Sequence, residues 1–368
     1  MAAAGLLHIG VLEPLANHVS VRTWAALLEV ASGTPRALHP GFHPSLGALP
    51  MYTRQGIGNA ITASMRTQTM RADLLVFLRD ALGATFVDLE RGLKRNLHVL
   101  RIDQCASVFP DLTAPITELL HEYTAVGAIE YSGSKRLGHV ARIGSSCPRA
   151  TCMSTMHTFQ ERLHSLKLSH TCVCTLPSLP RLRNLHMGHC PCVSELPSLA
   201  GFTDLRQLVL RDCLGLQSIC NRIPKGLVHL QVVNCPALHN LAALSQCHRL
   251  LTLSMQRCPA LTRLPTPLHT RLLSIRLGAC PALEALVGLP PSLRELSLHG
   301  CEALHMLNLE GLVRLEALHI HRRHSRTRLG PLDGLVNLTT LSTGGVRVRL
   351  VPVDRARLSS LTMDGEAG

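Results

Sequence analysis

At 368 residues, with 46% apolar and 17% charged side chains, the chain carries too much apolar material for a mainly disordered protein. Its length suits two or three ordinary domains or one elongated domain. Aromatics make up only 3%, so the core must come from Leu, Val, Ile, Ala and Cys, and a formal charge of +13 favours anionic partners.

Residues 1–90 read as a helical N-terminal cap or adaptor region. The opening "MAAAGLLHIGVLEPLANHV" has no basic n-region and is interrupted by Glu13, so no signal peptide is expected. The first arginine, Arg22, comes late for a mitochondrial presequence. No run of about 18 apolar residues exists, so no membrane span is expected. With fourteen cysteines and no secretory signal, the cytoplasm or nucleus is expected and the thiols should be reduced. Helical spacing is visible in Val19, Trp24, Leu27, Leu28 and Val30, and again over 68–86 in Leu74, Leu75, Phe77, Leu78 and Leu82. The Gly- and Pro-rich stretch 32–58 between them reads as loop. A helical cap would cover the open end of a repeat core. An adaptor that recruits a ubiquitin ligase is the alternative, although neither an F-box pattern nor a paired-cysteine RING stands there.

From residue 91 to 365 one phrase recurs: an apolar residue, two more at +3 and +5, a special position at +8 and Leu at +11. Leu97, Leu100, Ile102, Cys105 and Val108 fit it in full. Val126, Ile129, Tyr131, Ser134 and Leu137 follow with serine in the special place, and 138–162 is irregular or inserted. Leu163, Leu166 and Leu168 resume, with Thr171 at +8. The regular copies then start at 182, 205, 227, 250, 272, 293, 315 and 338, a period of 21 to 23 residues. The copy at 315 meets Arg323 at +8, and Leu358, Leu361 and Met363 read as a last strand.

The form L-x-x-L-x-L-x-x-C-x-x-L resembles the cysteine-bearing leucine-rich repeats of several intracellular families, plant-type immune receptors among them. The resemblance implies a right-handed α/β-type solenoid, a leucine-rich repeat horseshoe with a parallel β-sheet inside the curve. Its outer wall would be turns and 3₁₀ pieces. A single unit buries almost nothing, and stacking at about 4.8 Å per strand completes a continuous core.

Seven cysteines, Cys105, Cys190, Cys213, Cys235, Cys258, Cys280 and Cys301, occupy the +8 position. A small side chain with a weak S–H donor can fill the space where the chain turns outward, so one packing rule explains all seven. Zinc would need ligands converging on one point, whereas equivalent positions of a stack form a line. Only the C-x-C pairs Cys172/Cys174 and Cys190/Cys192 resemble metal knuckles, and Cys190 already has its ladder role. Parallel Cβ vectors also disfavour disulfides. No metal and no cofactor are expected.

Strand alternation sends +2, +4 and +6 to the opposite, solvent-facing side. That side carries Arg101, Lys167, His186, Arg211, Gln231, Arg276, His299, His319 and His321, a polar, histidine-rich row without aromatic anchors. These residues suit a polar or acidic protein partner, so the chain reads as a non-catalytic intracellular scaffold. The run "HIHRRHSRTR" adds a basic patch of Arg322, Arg323, Arg326 and Arg328. RNA or a ribonucleoprotein is the alternative partner for the basic surface, although a stacking platform would interleave aromatics. No Walker loop, G-x-G-x-x-G, H-E-x-x-H or G-x-S-x-G is present, so an enzyme is not expected.

Overall fold

A computed structural model describes residues 69–71, 75, 98–103, 128–132, 163–170, 176–191, 193–219, 222–266, 268, 271–321, 328–329, 332, 334–344, 347–348 and 358–364. The chain divides into two compact units, Met1–Lys135 with Ser154–Lys167, and Arg136–Met153 with Leu168–Gly368.

In the first unit, β1 (Thr69–Arg71), β2 (Val99–Asp103) and β3 (Ala128–Ser132) pair in parallel. The helix expected over 68–86 therefore begins differently. Thr69, Met70 and Arg71 form a strand against Val99, Leu100 and Arg101, and Leu75 beyond them is helical and buried. Three residues hold too little periodicity to separate strand from helix; the unpaired edge of β2 decides it by supplying backbone partners. The expected helix at 14–32, the loop at 32–58 and the irregular stretch 138–162 lie outside the described residues.

β4 (Ser165–Ser169) alternates half-buried and buried residues along the strand. The long strands that follow are β5 (Asn184–Gly188), β6 (Gln207–Arg211), β7 (His229–Val233), β8 (Thr252–Gln256) and β9 (Ser274–Gly278). Next come the short β10 (Ala285–Leu286), then β11 (Glu295–His299), the short β12 (Met306–Leu307) and β13 (Ala317–His321). The chain continues through β14 (Arg328–Leu329), β15 (Thr340–Gly344), β16 (Arg347–Val348) and β17 (Ser360–Asp364). In the second unit β5, β6, β7, β8, β9, β11, β13, β15 and β17 lie side by side in that order, every pair parallel.

The register aligns like with like. Leu185, Leu208, Leu230, Leu253, Ile275, Leu296, Leu318 and Leu341, all +3 residues, face one another across successive strands. They and their +5 partners are buried, together with the first leucine of each turn. Each such side chain removed from water is worth about 1.5–3 kcal/mol, and the stack gathers that gain only because every coil covers the next.

Two short turns frame each strand. Before it, the N–H of the first leucine bonds back three residues, as in Leu205 to Phe202 (3.1 Å) and Leu227 to Pro224 (3.1 Å). After it, the +11 leucine bonds to the +8 carbonyl, as in Leu216 to Cys213 (3.1 Å) and Leu238 to Cys235 (3.2 Å). The return side of each coil was expected to be turns and 3₁₀ pieces, and a 3₁₀ segment does stand at Ala242–Gln246. It also holds a thin second parallel ladder at +13: bridges join Glu195, Ser218 and Asn240, and Arg263 joins Ala285, which pairs with Met306.

Candidate functional site

The +7 residue of each turn shapes the sheet's rim. His170, His189, Asp212, Asn234, Arg257 and Ala279 all adopt left-handed backbone, with φ between 50° and 55°, and Gly300 does so at 61°. The backbone N–H at +7 donates to the +6 carbonyl of the following strand, as in His189 to Arg211 (2.9 Å), Asp212 to Val233 (2.9 Å) and Arg257 to Gly278 (2.8 Å). Left-handed backbone costs a non-glycine residue roughly 1–2 kcal/mol. Here it is what turns the chain so that the next side chain, at +8, points inward.

That next side chain is the cysteine. Cys190, Cys213, Cys235, Cys258, Cys280 and Cys301 are fully buried thiols. Each Sγ–H donates to the carbonyl two residues earlier, at 3.3 Å for Cys190, 3.4 Å for Cys280 and 3.5 Å for Cys213 and Cys258. Cys213 also lies between two ladder thiols. Its bond with Cys190 lowers its pKa, while its bond with Cys235 and its burial raise it, for a net rise to about 12. Its proton is held throughout the physiological range.

On the solvent-facing side the +2, +4 and +6 side chains form three columns across the strands. Along +2, His229 Nδ1 lies 2.7 Å from Thr252 Oγ1. Between β9 and β11 a fork-shaped ion pair forms, with Arg276 Nε and Nη2 donating to Glu295 at 2.9 and 3.0 Å and Ser274 Oγ adding a third donor at 3.0 Å. Burial raises the Glu295 pKa, but the bonds from Arg276 and Ser274 outweigh it and hold the carboxyl below its ordinary range. Along +6, the His299 and His321 rings stand 5.9 Å apart, tilted by 50°, and His321 Nε2 lies 3.0 Å from Ser342 Oγ.

One parallel strand per turn, apolar residues at 0, +3, +5 and +11, and a buried residue at +8 bonded to the turn make the unit unambiguous. It is a leucine-rich repeat. No family model matches the chain, and no curated protein matches it. Among solved structures it is similar to the leucine-rich repeat domain of the type III effector XopL, at 20% identity and a TM-score of 0.38, covering 94% of this chain and 97% of that one. It is also similar to a leucine-rich repeat protein of Leptospira interrogans, at 16% identity and a TM-score of 0.38, covering 74% and 79%.

In the second unit His186, Arg211, Gln231, Arg276, His299, His319 and His321 stand at +4 or +6 of their strands. Arg211 and His299 are exposed, and His186, Gln231, His319 and His321 are half-buried. Arg276 is exposed too, but its charge is matched by Glu295. Val209, at +4 of β6, is only 6% exposed, so the solvent-facing side has an apolar floor at that turn. In the first unit Lys167 is half-buried on β4, and Arg101 lies on β2 in register with Arg71 and Glu130. Cys105, Arg322, Arg323 and Arg326 lie outside the described residues, and Arg328 is placed only as part of β14, paired with Arg347.

The rim row forms no recognisable motif in the sequence. His170 stacks on His189 with ring centres 4.7 Å apart and planes 5° from parallel. His189 Nε2 lies 3.5 Å from Asp212, whose other carboxylate oxygen accepts from Asn234 Nδ2 at 2.6 Å. The available signal was the residue preceding each ladder cysteine, where His189, Asp212, Asn234 and Gly300 are all of types that favour or tolerate left-handed backbone. No helix among the described residues is long and apolar enough to cross a membrane.

Proposed function

We propose that this chain is a non-catalytic protein-interaction module, working in the cytoplasm or nucleus, whose solvent-facing sheet side receives a polar or acidic protein partner. The observation that carries this reading is the solvent-facing side itself: three mainly polar columns held on a closely spaced parallel ladder, with Arg211 exposed at one turn and histidines at others. A rigid array of this kind binds by complementarity spread over several turns, because its side chains are ordered before the partner arrives.

Affinity purification of the tagged protein from its own cells, at low and high salt and with and without nuclease, tests this. A small set of proteins retained through nuclease and high salt is the expected result. Loss of all co-purifying material on nuclease treatment would replace the reading with RNA binding, whose phosphate contacts weaken steeply with salt.

A further inference from the structure

We propose that His299, His319 and His321 form a divalent transition-metal site, with Zn²⁺ as the fitting ion, on the solvent-facing side of β11 and β13. The inference is independent of any protein partner.

His319 and His321 stand two residues apart on β13, so both imidazoles rise from the same side of the sheet. His299 on β11 is the register partner of His321. The three thus form an L, two along one strand and the third beside its end. Two imidazoles bound to one zinc at ~2.0–2.1 Å place their ring centres roughly 5 Å apart. The His299 and His321 rings stand at 5.9 Å, within a small side-chain rotation of that spacing. The surroundings leave room: Ser297 lies between Arg276 and His319 in the register, and Gly278, next to His299, carries no side chain.

As placed, no three His, Cys, Asp or Glu side chains converge on a common point among the described residues. His321 Nε2 instead meets Ser342 Oγ at 3.0 Å. Binding therefore needs side-chain rotation and exchanges that hydrogen bond for three metal–nitrogen bonds. Glu295, the nearest carboxylate on β11, is occupied by Arg276 and Ser274 and leaves the fourth position to water. A three-histidine set with one open position is a recognised zinc arrangement.

Calorimetric titration of the full chain with zinc chloride, alongside cobalt chloride followed by visible absorbance, tests the site. The expected result is one saturable ion and the strong cobalt absorption of a four-coordinate centre. His299→Gln, His319→Gln and His321→Gln should each weaken zinc binding by at least the ~10-fold that loss of even an outer-shell partner costs. His239→Gln, whose ring bonds to the Ala237 carbonyl on the return side, should not. His299 is exposed and His319 and His321 are half-buried, so an unchanged circular dichroism spectrum would show that the variants fold. An isotherm that never saturates, or one unchanged in all three variants, would mean an adventitious ion only, held by others of the 21 histidines, and would overturn the proposal.

Discussion

At the scale of single residues, the turn after each strand depends on a left-handed residue followed by a buried thiol. Ala279 holds φ at 50° without the short polar side chain that eases this backbone, so Ala279→Gly should raise stability by about 1 kcal/mol, read from urea midpoints. Cys213 gives a pH prediction with a definite sign. Its folded pKa of about 12 lies above the ~8.5 of a free thiol, so its contribution is intact below that lower value and is lost as the pH rises towards the upper one. Thermal midpoints measured from pH 7 to 10 should therefore fall, and Cys213→Ala, although less stable at neutral pH, should fall less steeply. Thr343 replaces an apolar +5 residue and buries an Oγ1 with no hydrogen-bond partner. Thr343→Val keeps the shape and removes the orphan hydroxyl, and an increase of about 1–3 kcal/mol is expected.

At the scale of strands, the sheet's two sides obey different rules. The inner side is a repeated aliphatic column in which successive members are in register from strand to strand. Leu253→Ala in the middle of that column should cost about 2–5 kcal/mol by leaving a cavity the stack cannot close. The outer side depends on pairs. Arg276 and Glu295 come from adjacent strands, and with the Arg276 side chain 60% exposed the pair contributes little to stability. Glu295→Gln should accordingly leave the thermal midpoint almost unchanged. It should also release the Arg276 charge and strengthen binding of an acidic partner, with the gain shrinking as salt is added.

For the whole molecule, each coil of the second unit rests on the coils beside it, so stability is a sum of turns and nearest-neighbour contacts. Removing one full period, residues 250–271, would join Arg249 to Leu272 in phase with the repeat. Such a chain should keep its strand content and unfold at a lower temperature. Removing only 250–260 would put every later leucine out of phase and should abolish cooperative unfolding. Circular dichroism with thermal melts on both chains separates the two outcomes.

Most of this fold is legible in the chain because a solenoid maps one dimension onto another. A period of 21 to 23 residues becomes one coil, and the apolar offsets within it become the core. The leucine columns, the cysteine ladder and the solvent-facing +2, +4 and +6 positions all follow from strand alternation and the need of each coil to cover its neighbour. What only the tertiary structure decided involves choices that periodicity leaves equal. It paired Thr69–Arg71 with β2, where a helix matched the local pattern as well. It buried Val209 among polar neighbours, matched Arg276 with Glu295, and set His299 beside His321. Each of these depends on side chains brought together from different turns, and on rotamers chosen among contacts about one period apart. The repeat determines where such residues stand, and the packing of one coil on the next determines which of them meet.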